Sequence, residues 1–186
     1  ALADEVSMLA ATDCGQRPWH TFVTKPITYQ RLSPRRWPHH VPLLPQLSVT
    51  ACPGEYEPAT FSVYATKDLK NVTLSFSDLS SDQGDTLPAS CIDPHVVKAW
   101  YQSGWNIWPE GRRVLTPELL LKDDDLVRVD YDQERNLVRD QGTREYVDVS
   151  TANSKHLKQP DEEGGFRPRD ADELQPFDLP AKHLKQ

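Results

Sequence analysis

The chain has 186 residues, a net charge of −7, 37% hydrophobic residues, and 16 prolines against 8 glycines. This length suits one ordinary domain with extended tails, and an apolar share below the usual roughly 45–50% means that part of the chain stays outside a core. The negative charge argues against nucleic acid or an anionic membrane surface as partner, and no apolar run approaches the roughly 20 residues of a spanning helix.

Ala1-Leu2-Ala3 before Asp4-Glu5 has the small-x-small pattern of a signal-peptidase remnant, which points to a secreted or periplasmic protein; an arbitrary boundary gives the same residues. Residues 1–44 mix Trp19, Phe22, Ile27, Tyr29 and Trp37 with prolines and show no sustained period. They are expected to form an extended proline-rich lead-in with one short strand near 20–24. A β domain is expected over 45–150. Its first strand is Leu47–Ala51 by alternation, ending at Pro53-Gly54, where proline presets φ and glycine accepts the positive φ of a type II turn. A half-buried strand follows at 59–66, with Ala59, Phe61, Val63 and Ala65 inward and Ser62 and Tyr64 outward.

Alternation predicts further strands at 71–77, 95–102 and 126–131, with Tyr146, Val147 and Val149 supplying one more. Residues 80–88 have the composition of an exposed loop, and Pro117–Lys122 fits one helical turn with proline at its first position. Short strands separated by turn signals predict an all-β antiparallel sandwich of immunoglobulin-like or jelly-roll-like type. Residues 151–186 are expected to be an acidic loop or linker leading to a missing strand or domain, with 158–176 solvated.

Five stretches together carry a resemblance: Lys25–Thr28, Pro53–Phe61, Asp68–Val72, Val96–Gln102 and Leu115–Leu121. In order and spacing they resemble the N-terminal β-sandwich region of bacterial glycoside hydrolase-like proteins of the DUF4091 type, over roughly residues 20 to 186. The resemblance implies a non-catalytic module of a secreted carbohydrate-active enzyme, ahead of a (β/α)8-type catalytic domain in the same parent chain. It carries over no catalytic residue, and the chain looks like a fragment. The alternative is a free-standing carbohydrate- or protein-binding module without enzyme activity.

Trp100, Trp105 and Trp108 hold three of the five tryptophans within nine residues, beside Tyr101, Gln102 and Asn106. Flat sugar C–H faces stack on such rings while amides bond hydroxyls, so Trp105, Trp108, Trp100 and Asn106 are the carbohydrate-contact candidates. Filling of the sandwich core is the competing account of the same aromatics. Acidic pairs are the chemistry of glycoside hydrolysis, but none stands out. Asp123-Asp124-Asp125 fits a solvated turn; Asp130, Asp132 and Glu134 fit an exposed edge; Glu55 and Glu57 fit backbone or arginine hydrogen bonds. The histidines lack ligand spacing and are expected on the surface or in loops, so no metal or other cofactor is expected. Cys14, Cys52 and Cys91 leave open one disulfide with a free thiol, or three buried thiols. Asn71-Val72-Thr73 is a glycosylation triplet of a kind that often arises by chance.

Overall fold

The computed structural model describes residues 17–26, 31–38, 46–103, 113–150 and 166–186. The described residues form an all-β protein of several small antiparallel sheets, with short 3-10 turns at Ala89–Cys91 and Asp124–Leu126 and no α-helix. The strands are β1 (Trp19–Thr24), β2 (Thr60–Ala65), β3 (Leu69–Val72), β4 (Leu79–Ser80), β5 (Thr86–Leu87), β6 (Val96–Ser103), β7 (Arg113–Leu121), β8 (Val127–Asp130), β9 (Arg135–Arg139), β10 (Tyr146–Asp148), β11 (Phe177–Leu179) and β12 (Leu184–Lys185). They pair as β1-β2-β12, β10-β9-β8, β11-β3, β4-β5 and β6-β7.

The first of these sheets gathers the lead-in, the middle and the end of the chain. β1 alternates, with His20, Phe22 and Thr24 buried, and pairs along its whole length with β2, from Trp19 opposite Ala65 to Thr24 opposite Thr60. On the far side of β2, Leu184 lies opposite Tyr64 and Lys185 opposite Val63. The face of β2 expected to meet solvent is therefore covered: Ser62 and Tyr64 are buried. The reason is that β2 lies between two apolar clusters. Phe22, Trp37, Tyr64 and Leu184 pack on one side; Ala65, Val96, Phe177 and Leu179 pack on the other. In the first cluster Trp37 meets Phe22 and Tyr64 edge-on, with ring centroids 5.1 and 4.9 Å apart, the geometry favoured by the ring quadrupoles. His20 also packs edge-on against Trp37, so it is a buried strand residue, not a surface histidine.

The Pro53-Gly54 turn forms as its residues dictate. Glu55 N donates to Cys52 O at 3.1 Å, Gly54 takes φ 81°, and the Glu55 carboxylate closes the loop by accepting from Cys52 N at 2.9 Å. The strand expected at Leu47–Ala51 does not form, and residues 46–59 are exposed throughout. Alternation supplies propensity, but a strand persists only when a neighbour satisfies its backbone groups. Partner length also limits the strand expected at 71–77. It is observed at Leu69–Val72, because β11 begins where Phe177 meets Val72. The 80–88 loop holds the small hairpin of β4 and β5, closed by Ser81 N donating to Asp85 O at 2.8 Å.

The helical turn expected at Pro117–Lys122 is instead the end of β7, whose ladder with β6 runs from Val96 opposite Leu121 to Ser103 opposite Arg113. Local propensity for a turn of helix gives way to eight paired residues. Pro117 is tolerated inside the hairpin because the register slips beside it, from Lys98 opposite Leu119 to Ala99 opposite Pro117, leaving Glu118 as a bulge. A third apolar cluster, of Leu121, Leu126, Val127 and Val138, lies where this hairpin meets the β8-β9-β10 sheet.

Carboxylates staple the remaining loops. Asp140 accepts from Gly142 N and Thr143 N at 2.9 Å and from Arg167 N at 2.8 Å. Asp170 accepts from Lys122 N and Asp123 N, each at 2.8 Å. Within the described part of the C-terminal segment, residues 166–176 form a mostly exposed loop tied to the sheets by these bonds, and β11 and β12 follow it. Cys52 and Cys91 are free and exposed, so three buried thiols are ruled out; Cys14 lies outside the described residues.

Candidate functional site

The β6-β7 hairpin carries the candidate face. Successive side chains along a strand point to opposite sides, so Lys98, Trp100 and Gln102 share one. The bulge presents Glu118 to the same side: Trp100 Nε1 donates to Glu118 Oε1 at 2.7 Å, and Gln102 Nε2 donates to the same oxygen. Glu118 is exposed and Trp100 half-buried, and Trp100 belongs to none of the three apolar clusters. Its indole edge is held by a carboxylate at the surface. Trp105, Asn106 and Trp108 lie outside the described residues.

The opposite side of β6 is structural. Asn136 of β9 is buried and acts as a surrogate strand: its Oδ1 accepts from Tyr101 N at 2.9 Å, and its Nδ2 donates to Tyr101 O at 2.7 Å. Tyr101 OH donates to Tyr131 O at 3.3 Å. These bonds satisfy the free edge of β6 where it meets the neighbouring sheet, and they hold Trp100 and Gln102 in place.

At the near end of the same face, Lys98 leads into a cleft of about 510 Å3 bounded by the turn before β8 and by the C-terminal strands. The turn expected at Asp123–Asp125 forms and Asp125 is exposed, but Asp124 sits in the cleft wall with a side chain only 15% exposed, at the centre of an ionic cluster. Asp124 Oδ1 accepts from Lys98 Nζ at 3.0 Å and from Lys185 Nζ at 2.6 Å, and Asp124 O accepts a further bond from Lys98 at 2.9 Å. Its neighbours are paired too: Asp123 with Arg139, and Asp125 with Arg128 and Arg139. Burial pushes the Asp124 carboxyl up, but the Lys185 and Lys98 ammonium groups outweigh that and hold it below its ordinary range. Lys185 shows the opposite balance. Burial and then Lys98 bring it down to about 8, although Asp124 favours its charged form. Burial raises Tyr131, which also lines the cleft, to about 12, so it is neutral.

The other acidic candidates are placed apart from this face. Asp130 closes the β8-β9 turn by accepting from Asp132 N and Gln133 N and pairs with Arg135 at 3.2 Å. Glu134 occupies the same turn with φ 52°. Glu55 holds its own turn, in the structural role expected of it. Among the described residues no group of three His, Cys, Asp or Glu converges to hold a metal ion. No family model, curated protein or solved structure matches the chain. Lys185 and Asp124 could not be singled out from sequence, since each is one charge in a charged neighbourhood and only folding brings them together.

Proposed function

We propose that the chain is a non-catalytic β-sandwich module, immunoglobulin-like or jelly-roll-like, from the N-terminal part of a secreted carbohydrate-active enzyme. The parent enzyme, of the DUF4091 type that the five sequence stretches resemble, hydrolyses glycosidic bonds with a catalytic domain elsewhere in its chain. The module supports that domain and meets glycan with the outer face of β6. The observation that carries this reading is the Glu118 bulge. It places a carboxylate beside an indole and an amide outside the apolar clusters, where a sugar ring stacks on Trp100 while Glu118 and Gln102 take its hydroxyls. Stacking and polar groups on one rigid hairpin are what a ring with apolar faces and hydroxyl edges requires.

The test is binding of neutral oligosaccharides by calorimetry or on a glycan array. Trp100→Ala is expected to weaken binding by at least about tenfold, which corresponds to ~1.4 kcal/mol. Trp105→Ala, Asn106→Ala and Trp108→Ala report whether the adjoining 104–112 connection joins the contact. Glycan affinity unchanged by Trp100→Ala, in a variant with native stability, would remove this face from the reading.

A further inference from the structure

The bulge on β7 aims one carboxylate along the outer face of the hairpin. Glu118 stands outside the register, between Leu119 opposite Lys98 and Pro117 opposite Ala99. Its Oε1 accepts from Trp100 Nε1 at 2.7 Å and from Gln102 Nε2, so one oxygen takes both bonds. Oε2 takes no bond from any described residue. The indole N–H lies in the ring plane, so Glu118 sits at the edge of Trp100 and not over its face. The cations along the described hairpin are directed elsewhere. Lys98 Nζ donates to Asp124, Lys122 Nζ pairs with Asp93 at 2.8 Å, and Arg113 Nη1 donates to Glu134 O.

The donors of this face are largely spent inside the hairpin. Trp100 has one N–H, and Glu118 holds it; the Thr116 hydroxyl, opposite Trp100, donates to Val114 O at 3.2 Å. A carboxylate can only accept, so Gln102 must turn its Nε2 toward Glu118, which leaves its Oε1 as an acceptor. Two oxygens, Glu118 Oε2 and Gln102 Oε1, then stand beside the indole against one remaining N–H of Gln102. A ligand on this face has to donate. A sugar hydroxyl does so with a neutral bond, whereas an ammonium makes a charge-assisted bond roughly twice as strong. A uronate carboxylate meets Glu118 as a like charge. We propose that this face prefers oligosaccharides of free amino sugars, with the ring stacked on Trp100 and its ammonium donating to Glu118 Oε2, and that it discriminates against uronic acids. The inference rests on the reading of this face as a glycan contact and adds to it the charge class of the sugar.

The experiment is calorimetric titration of the full chain with matched gluco- and galacto-configured oligosaccharides that differ only in carrying hydroxyl, free amino, acetamido or carboxylate groups. At about pH 6, where a free amine is charged, the amino form is expected to bind about fivefold tighter than the hydroxyl form, the range of an exposed ion pair. The acetamido form, which has no charge, should lack that advantage, and the carboxylate form should bind most weakly. Because the pair is exposed, the preference should shrink as salt is raised. Glu118→Gln keeps an oxygen for the Trp100 N–H and removes the charge, so amino and hydroxyl forms should then bind alike. The proposal is overturned if the wild-type chain binds the amino form no tighter than the hydroxyl form, if salt leaves the preference unchanged, or if a folded Glu118→Gln chain retains it. Neutral sugars that bind through Trp100 without any amino preference overturn this inference and leave the glycan reading standing. If Trp100→Ala changes the binding of none of these sugars, both fail.

Discussion

Asp124→Asn and Lys185→Met are expected to move stability in opposite directions. Asn keeps the shape of Asp124 but removes the carboxylate that, among the described residues, Lys98 and Lys185 share; their side chains are 12% and 16% exposed. Breaking a buried pair from the side that leaves charge uncompensated costs about 3–5 kcal/mol, so the Asp124→Asn chain should lose that much at neutral pH. Lys185→Met removes the cation whose charged form burial penalises and keeps a stem of similar length, and Asp124 keeps Lys98. The Lys185 pKa falls from 10.5 to about 8, which corresponds to ~3 kcal/mol of penalty on its charged form. Lost bonding to Asp124 offsets part of the gain, so Lys185→Met should be between neutral and ~3 kcal/mol more stable at pH 7. The pH dependence carries the sign. The unfolded chain holds this proton more tightly than the folded one, so wild-type stability on this group's account rises with pH between about 8 and 10.5. The advantage of Lys185→Met should shrink over that window. Urea unfolding followed by tryptophan fluorescence, repeated across neutral to alkaline pH, measures all three quantities. If Lys185→Met costs as much as Asp124→Asn, or if its difference from wild type ignores pH, the account of Lys185 as a cation penalised by burial is wrong.

Two further substitutions probe how the sheets are joined. Asn136→Ala removes both bonds to the Tyr101 backbone and leaves a buried donor and acceptor unmet, so a loss of about 2–3 kcal/mol in urea unfolding is expected, with m unchanged. Ser62 is fully buried in β2, and its Oγ has no partner among the described residues. Ser62→Ala should therefore leave stability unchanged or raise it by up to about 1 kcal/mol, and a clear loss in thermal unfolding would mean that the hydroxyl is bonded.

Much of the framework is legible locally. Pro53-Gly54 is a turn because proline and glycine supply the two torsions it needs, and Gly54 adopts them. The alternations at 59–66 and 95–102 become β2 and β6, observed at Thr60–Ala65 and Val96–Ser103, because apolar and polar residues at period two can satisfy a pleated surface. Alternation fails as a guide where pairing decides. Leu47–Ala51 has the pattern and no strand, while Pro117–Leu121 looks helical and is drawn into a hairpin by β6. The acidic character of 166–186 conceals Phe177, Leu179 and Leu184, all of them core residues.

For the candidate site the division is sharper. The residue types on the face of β6 follow from sequence, since Lys98, Trp100 and Gln102 are two apart and must share a side of any strand. That Glu118 meets the last two depends on a bulge beside Pro117, which exists only once the hairpin has formed. Asp124 and Lys185 are further removed still. Sequence composition by itself determined an acidic, proline-rich, all-β chain with a type II turn and an aromatic strand, because these depend on torsions and short periods. Tertiary structure alone decided that β12 returns to pair with β2 and brings Lys185 to an aspartate 61 residues earlier. Contacts of that separation depend on which apolar faces bury one another, and local sequence does not encode that choice.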